Sequence, residues 1–172
     1  ANYSQIAGNK TYHGVQRTVF LTPGNGKGIR MPNLVMLGHG PAFWSEIGTL
    51  ETVYDRGRYP EYPIKEEGAV PKLLRRYPNL WGDLSAGSGY NALARDVNYA
   101  VHFLNEFQDR LCFGTDICYA TQNLPLAGFL IDLKKSGRIS EDVFEKVEAA
   151  TKEKAEFATV KLEEYYQNLK EN

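Results

Sequence analysis

Short apolar runs closed by glycine or serine, with helical stripes between them, narrow the fold of this chain more than any other feature. The runs are Thr18-Val19-Phe20-Leu21-Thr22, Asn33-Leu34-Val35-Met36-Leu37-Gly38, Asn79-Leu80-Trp81-Gly82-Asp83-Leu84 and Arg110-Leu111-Cys112-Phe113-Gly114-Thr115. Each has the length of a strand and is rich in β-formers. None alternates cleanly between polar and apolar residues. Near-continuous apolarity fits strands covered on both faces, as in a parallel sheet. Pro32-Asn33 and Pro78-Asn79 put a turn signal just before two of the runs.

Helical patterns fill the gaps. Phe43, Trp44, Ile47, Leu50 and Tyr54 predict a helix over Pro41–Asp55. Pro71 suits the first turn of a short helix through Leu73, Leu74 and Tyr77, which Pro78 stops. Leu93, Val97, Ala100, Val101, Leu104 and Phe107 form one stripe of a helix from Tyr90 to Gln108. A further helix runs from Leu124 to Lys135 and ends at Ser136-Gly137. Ser140 is a good N-cap for a last helix of about 30 residues, long for a globular domain. That helix either packs on the core or serves a partner. The segment Arg56–Gly68, with Arg58-Tyr59-Pro60-Glu61-Tyr62-Pro63, reads as a long loop over the strand ends, a functional lid or a surface excursion. Strand, helix, strand, helix at these spacings means an α/β fold of parallel βα units. The expected organisation is an arm over 1–17, the βα unit over 18–138 and the C-terminal helix over 139–172.

Charge removes whole classes of function. Lys and Arg number 20 against 21 for Asp and Glu, so a nucleic-acid partner, which asks for a basic excess, is not expected. No apolar run approaches the roughly 18 residues of a membrane span. The polar start Ala1-Asn2-Tyr3-Ser4-Gln5 lacks the shape of a signal peptide. Two cysteines cannot build a disulfide framework or a four-cysteine zinc site. A soluble cytoplasmic protein with no membrane partner is the expectation.

Chemistry concentrates where the apolar runs stop. Gly38-His39-Gly40 follows the second, Asp83-Leu84-Ser85-Ala86-Gly87 closes the third and Gly114-Thr115-Asp116 closes the fourth. In parallel α/β folds ligands bind at the carboxyl ends of strands. His and Asp can hold a divalent ion such as zinc, and Asp can act as a general base. Each residue also has a plain alternative. His39 can satisfy a turn, Asp116 can cap the next turn, and Asp83 can hold a neighbouring loop through backbone bonds. Cys118 reads as a small buried thiol before it reads as a third ligand. Pro23-Gly24-Asn25-Gly26-Lys27-Gly28 fails the phosphate-loop count, because Gly28 stands where Ser or Thr is needed.

Leu37-Gly38-His39-Gly40, then Pro78-Asn79-Leu80-Trp81-Gly82-Asp83-Leu84-Ser85, then Arg110-Leu111-Cys112-Phe113-Gly114-Thr115-Asp116 resemble the amidohydrolase-related family. This is the group of TIM-barrel, metal-dependent hydrolases and decarboxylases that includes aminocarboxymuconate-semialdehyde decarboxylase. The resemblance covers about residues 30 to 148 and implies the C-terminal half of such a barrel, with a long helix added. It implies His39 as a metal-site or substrate-polarising histidine and Asp116 as a metal ligand and proton-transfer residue. The cofactor it implies is a divalent metal, zinc first. The family's His-x-His pair is absent, and the run Thr18–Thr22 ends without a histidine. One copy of the chain therefore lacks a full set of family ligands. A missing N-terminal half or a homo-oligomer would complete it, since an open parallel sheet exposes both edges.

The expected function is metal-dependent hydrolysis or non-oxidative decarboxylation of a small carboxylate or ring substrate. His39 and Asp116 would be the catalytic and metal residues. Arg58, Tyr59, Tyr62 and Ser85 would contact substrate. The alternative is a non-catalytic scaffold that binds a partner through its C-terminal helix.

Overall fold

The computed structural model describes residues 36–118, 121–123 and 125–149. The arm over 1–17, the run Thr18–Thr22 and the last helix beyond 149 lie outside the described residues.

Three parallel strands form the sheet: β1 (Met36–Gly38), β2 (Leu80–Asp83) and β3 (Leu111–Cys112). Their spatial order is their chain order, with Leu37 opposite Trp81 and Asp83 opposite Cys112. Helix α1 (Pro41–Trp44) follows β1 and tightens into a 3-10 turn, Ser45–Ile47. Helix α2 (Ala69–Arg76) leads into β2. Helices α3 (Ala86–Ala94) and α4 (Val97–Phe107) connect β2 to β3. Helix α5 (Pro125–Lys135) and a helix α6 over 141–149 close the described part.

The core lies on the helix side of the sheet. Leu80, Leu84 and Leu111 point into it, against fully buried Trp44, Phe103, Leu104 and Phe107. Trp44 meets Phe43 and Phe103 edge to face, at centroid distances of 5.0 and 6.1 Å. Two glycines admit these rings. A Cβ on Gly38 would stand 2.3 Å from the Phe43 ring, and one on Gly82 would stand 2.9 Å from Trp44. Side chains of the opposite register are less covered: Leu37 is 47% exposed and its neighbour Trp81 is only partly buried.

Sequence periodicity misjudges two helices. The helix expected over Pro41–Asp55 ends at Ile47, and Tyr54 is 79% exposed instead of buried. Beyond Ile47 the backbone finds other partners. Gly48 bridges Glu67, Thr49 N–H donates to the Glu66 carbonyl (2.9 Å) and Gly68 N–H to the Ile47 carbonyl (3.1 Å). Thr52 and Asp55 then form a capping box around a separate 3-10 turn. The helix expected from Tyr90 to Gln108 is two helices. Asp96 breaks it: one oxygen accepts from Tyr99 N–H at 3.0 Å, capping α4, and the other from Ile64 N–H at 3.1 Å. Ser140 does cap its helix, accepting from Val143 N–H at 3.2 Å. Cys118 is exposed, not buried as expected, and the buried free thiol is Cys112.

Candidate functional site

The parallel register brings three strand ends together. His39 follows β1, Asp83 ends β2 and Asp116 stands four residues past β3. His39 Nδ1 is 3.1 Å from Asp83 Oδ2, and its Nε2 is 3.8 Å from Asp116 Oδ2. Ser85 Oγ is 3.3 Å from His39 Nδ1, and Ser85 N–H donates to Asp83 Oδ1 at 2.9 Å. The His39 and Asp116 side chains are 42% and 48% exposed, so a solute can reach them; Asp83 is 20% exposed.

The backbone around this group is unusual. Asp116 has φ 51° and Ala86 has φ 62°, left-handed values that cost an ordinary residue roughly 1–2 kcal/mol. Asp tolerates that region better than most residues. Gln122 staples the Asp116 turn: its amide nitrogen donates to the Asp116 carbonyl at 3.1 Å, and its oxygen accepts from Cys118 N–H at 2.8 Å. Behind Asp83, the Trp44 indole N–H donates to the Asp83 carbonyl at 2.6 Å.

The expected lid residues are dispersed. The segment Arg56–Gly68 runs down the flank of α3, with Asn91 Nδ2 donating to the Pro60 carbonyl at 3.1 Å and Asp96 holding Ile64. Tyr59, half exposed, lies 3.7 Å from where a Gly87 Cβ would stand, beside the start of α3. Tyr62 points into the loop's own framework. Its hydroxyl accepts from Glu51 N–H at 3.0 Å and donates to Asp55 at 3.1 Å, and Arg95 covers its ring. Burial and the Asp55 carboxylate push the Tyr62 hydroxyl's pKa up. Arg58 is exposed, and its N–H donates to the Asp55 carbonyl at 3.0 Å.

A cleft of about 520 Å³ opens elsewhere, lined by Glu46, Glu51, Arg56, Glu67 and Lys72 among others. Its carboxylates are paired within the chain: Glu46 with Arg56, Glu51 with Lys65, and Glu67 with Arg75. That pairing gives it a structural explanation, whereas the strand ends gather acid and imidazole around an accessible space.

A family model for amidohydrolases matches residues 35–151, a span that contains all three strands and His39, Asp83 and Asp116. The match covers well over half of the chain. The chain belongs to the amidohydrolase family. No curated protein and no solved structure matches it.

Amidohydrolases usually bind divalent metals. Among the described residues of the chain, no group of three or more His, Cys, Asp or Glu side chains is arranged to hold one. Two donors do fit. The 3.8 Å from His39 Nε2 to Asp116 Oδ2 is too long for a hydrogen bond. It is close to the roughly 3.4 Å that bond lengths near 2 Å and tetrahedral angles set between two atoms on one zinc ion. Trp44 and Gln122, which bond the Asp83 and Asp116 carbonyls, escape sequence reasoning. Trp44 reads only as core, and Gln122 carries no signal at all.

Proposed function

We propose that this member of the family carries out metal-dependent hydrolysis, or non-oxidative decarboxylation, of a small carboxylate or ring substrate. The observation that carries this reading is the spacing of His39 Nε2 and Asp116 Oδ2 at the accessible carboxyl end of the sheet. These two residues would hold the metal, zinc first, which supplies Lewis acidity when bound. The Asp116 carboxylate, half exposed, is open to take a proton from water or substrate. Tyr59, beside Gly87 at the start of α3, would bound the substrate space. The remaining ligands would come from outside the described residues, from a second copy of the chain or a further part of a barrel. Strand order that follows chain order is what a stretch of such a barrel has.

The competing reading is a non-catalytic scaffold, which the short donor set favours. Elemental analysis of protein made with zinc or manganese separates the two. His39→Ala and Asp116→Ala should each lose bound metal and any hydrolytic or decarboxylase activity together. Unchanged metal content in both variants would remove the assignment.

A further inference from the structure

Asp83 stands between a backbone that fixes it and an imidazole that it faces. Its carbonyl accepts from the Trp44 indole at 2.6 Å and its Oδ1 accepts from Ser85 N–H at 2.9 Å. Gly114 leaves room for both residues, since a Cβ there would stand 3.0 Å from Ser85 Cβ and 3.6 Å from Asp83 Oδ1. The remaining oxygen, Oδ2, is aimed at His39 Nδ1 from 3.1 Å.

We propose that Asp83 is a positioning residue that holds His39 as the Nδ1–H tautomer, so that the Nε2 lone pair faces Asp116. A neutral imidazole has one N–H donor and one acceptor nitrogen, and an ionised carboxylate only accepts. With Asp83 at hydrogen-bond distance from Nδ1, the proton belongs on that nitrogen. Nε2 faces Asp116 at 3.8 Å, too far to compete for it. The Ser85 hydroxyl, 3.3 Å from the same Nδ1, can accept as well as donate and so does not oppose this tautomer. Asp83, His39 and Ser85 do not form a Ser-His-Asp triad, in which the serine and the carboxylate use opposite imidazole nitrogens, because here both face Nδ1. The proposal rests on the metal-dependent reading only for the use made of Nε2; an imidazole bound through one nitrogen commonly gives its other N–H to a carboxylate.

Asp83→Asn is nearly isosteric and inverts the logic. Ser85 N–H needs an oxygen, so the amide oxygen takes the Oδ1 position and the NH₂ faces Nδ1. The imidazole must then accept at Nδ1 and carry its proton on Nε2. The readout is nitrogen NMR of the imidazoles in the metal-free full chain at alkaline pH. The chain has three histidines, so a His39→Gln spectrum assigns the signal. The expected result is Nδ1–H in the native protein, Nε2–H in Asp83→Asn, and zinc binding weakened about 10–100-fold in that variant. Nε2–H in the native protein, or an unchanged tautomer in a folded Asp83→Asn, overturns the proposal. Should Asp83→Asn not fold, the native spectrum alone decides it. Nδ1–H in a protein that binds no metal would support the positioning role and remove the metal-dependent function. Metal binding with Nε2–H would do the reverse.

Discussion

Trp44→Ala is expected to lower the unfolding free energy by about 3–5 kcal/mol, the usual range for deleting a large aromatic from a core. Trp44 is fully buried, and its ring fills the space between Phe43, Phe103 and the bare backbone of Gly82. None of these neighbours can collapse into the cavity without leaving another contact. The change also removes the donor to the Asp83 carbonyl, so the strand end that carries the site loses a tether. Urea denaturation reads the first effect. A loss under about 1 kcal/mol would mean that the packing described around α1 is not formed in solution.

The second large effect comes from a pair of glycine substitutions with opposite signs. A Cβ on Gly89 would stand 2.0 Å from the Leu84 carbonyl oxygen, which is backbone and cannot swing aside. Gly89→Ala must therefore push α3 off the end of β2, and overpacking of this kind costs about 1–3 kcal/mol or more. Gly128 lies inside α5 with nothing within 4 Å of its Cβ position. Gly128→Ala should stabilise by roughly 0.5–1 kcal/mol through helix propensity alone. Thermal melts of the two variants check the contrast. Equal shifts would show that α3 does not sit against β2 as described.

The strands were legible in the sequence because short apolar runs bounded by turn residues leave a local mark, although the face carrying Leu37 and Trp81 is less covered than continuous apolarity implied. Leu80, Gly82 and Leu84 show it, and the residues closing those runs are the ones that meet at the site. The helix ends were less legible because distant partners decide them. Nothing near Ile47 signals that Gly68 N–H will take its carbonyl, and nothing near Asp96 signals that Ile64 will share its carboxylate. The role of Asp83 was half legible. Its bond to Ser85 N–H is local and expected, but its approach to His39 depends on β1 and β2 pairing in register. Tyr62 looked like a lid residue on composition, and only its bonds to Glu51 and Asp55 show that it braces the loop.

Cobalt titration of the full chain tests the metal assignment most directly, because cobalt replaces zinc in nitrogen and oxygen sites and reports its coordination in visible absorption. The expected result is a saturable visible spectrum that is lost in both His39→Ala and Asp116→Ala, while Tyr62→Phe leaves it unchanged. A spectrum that survives both substitutions, or none at all in the native protein, would contradict a metal site built on His39 and Asp116.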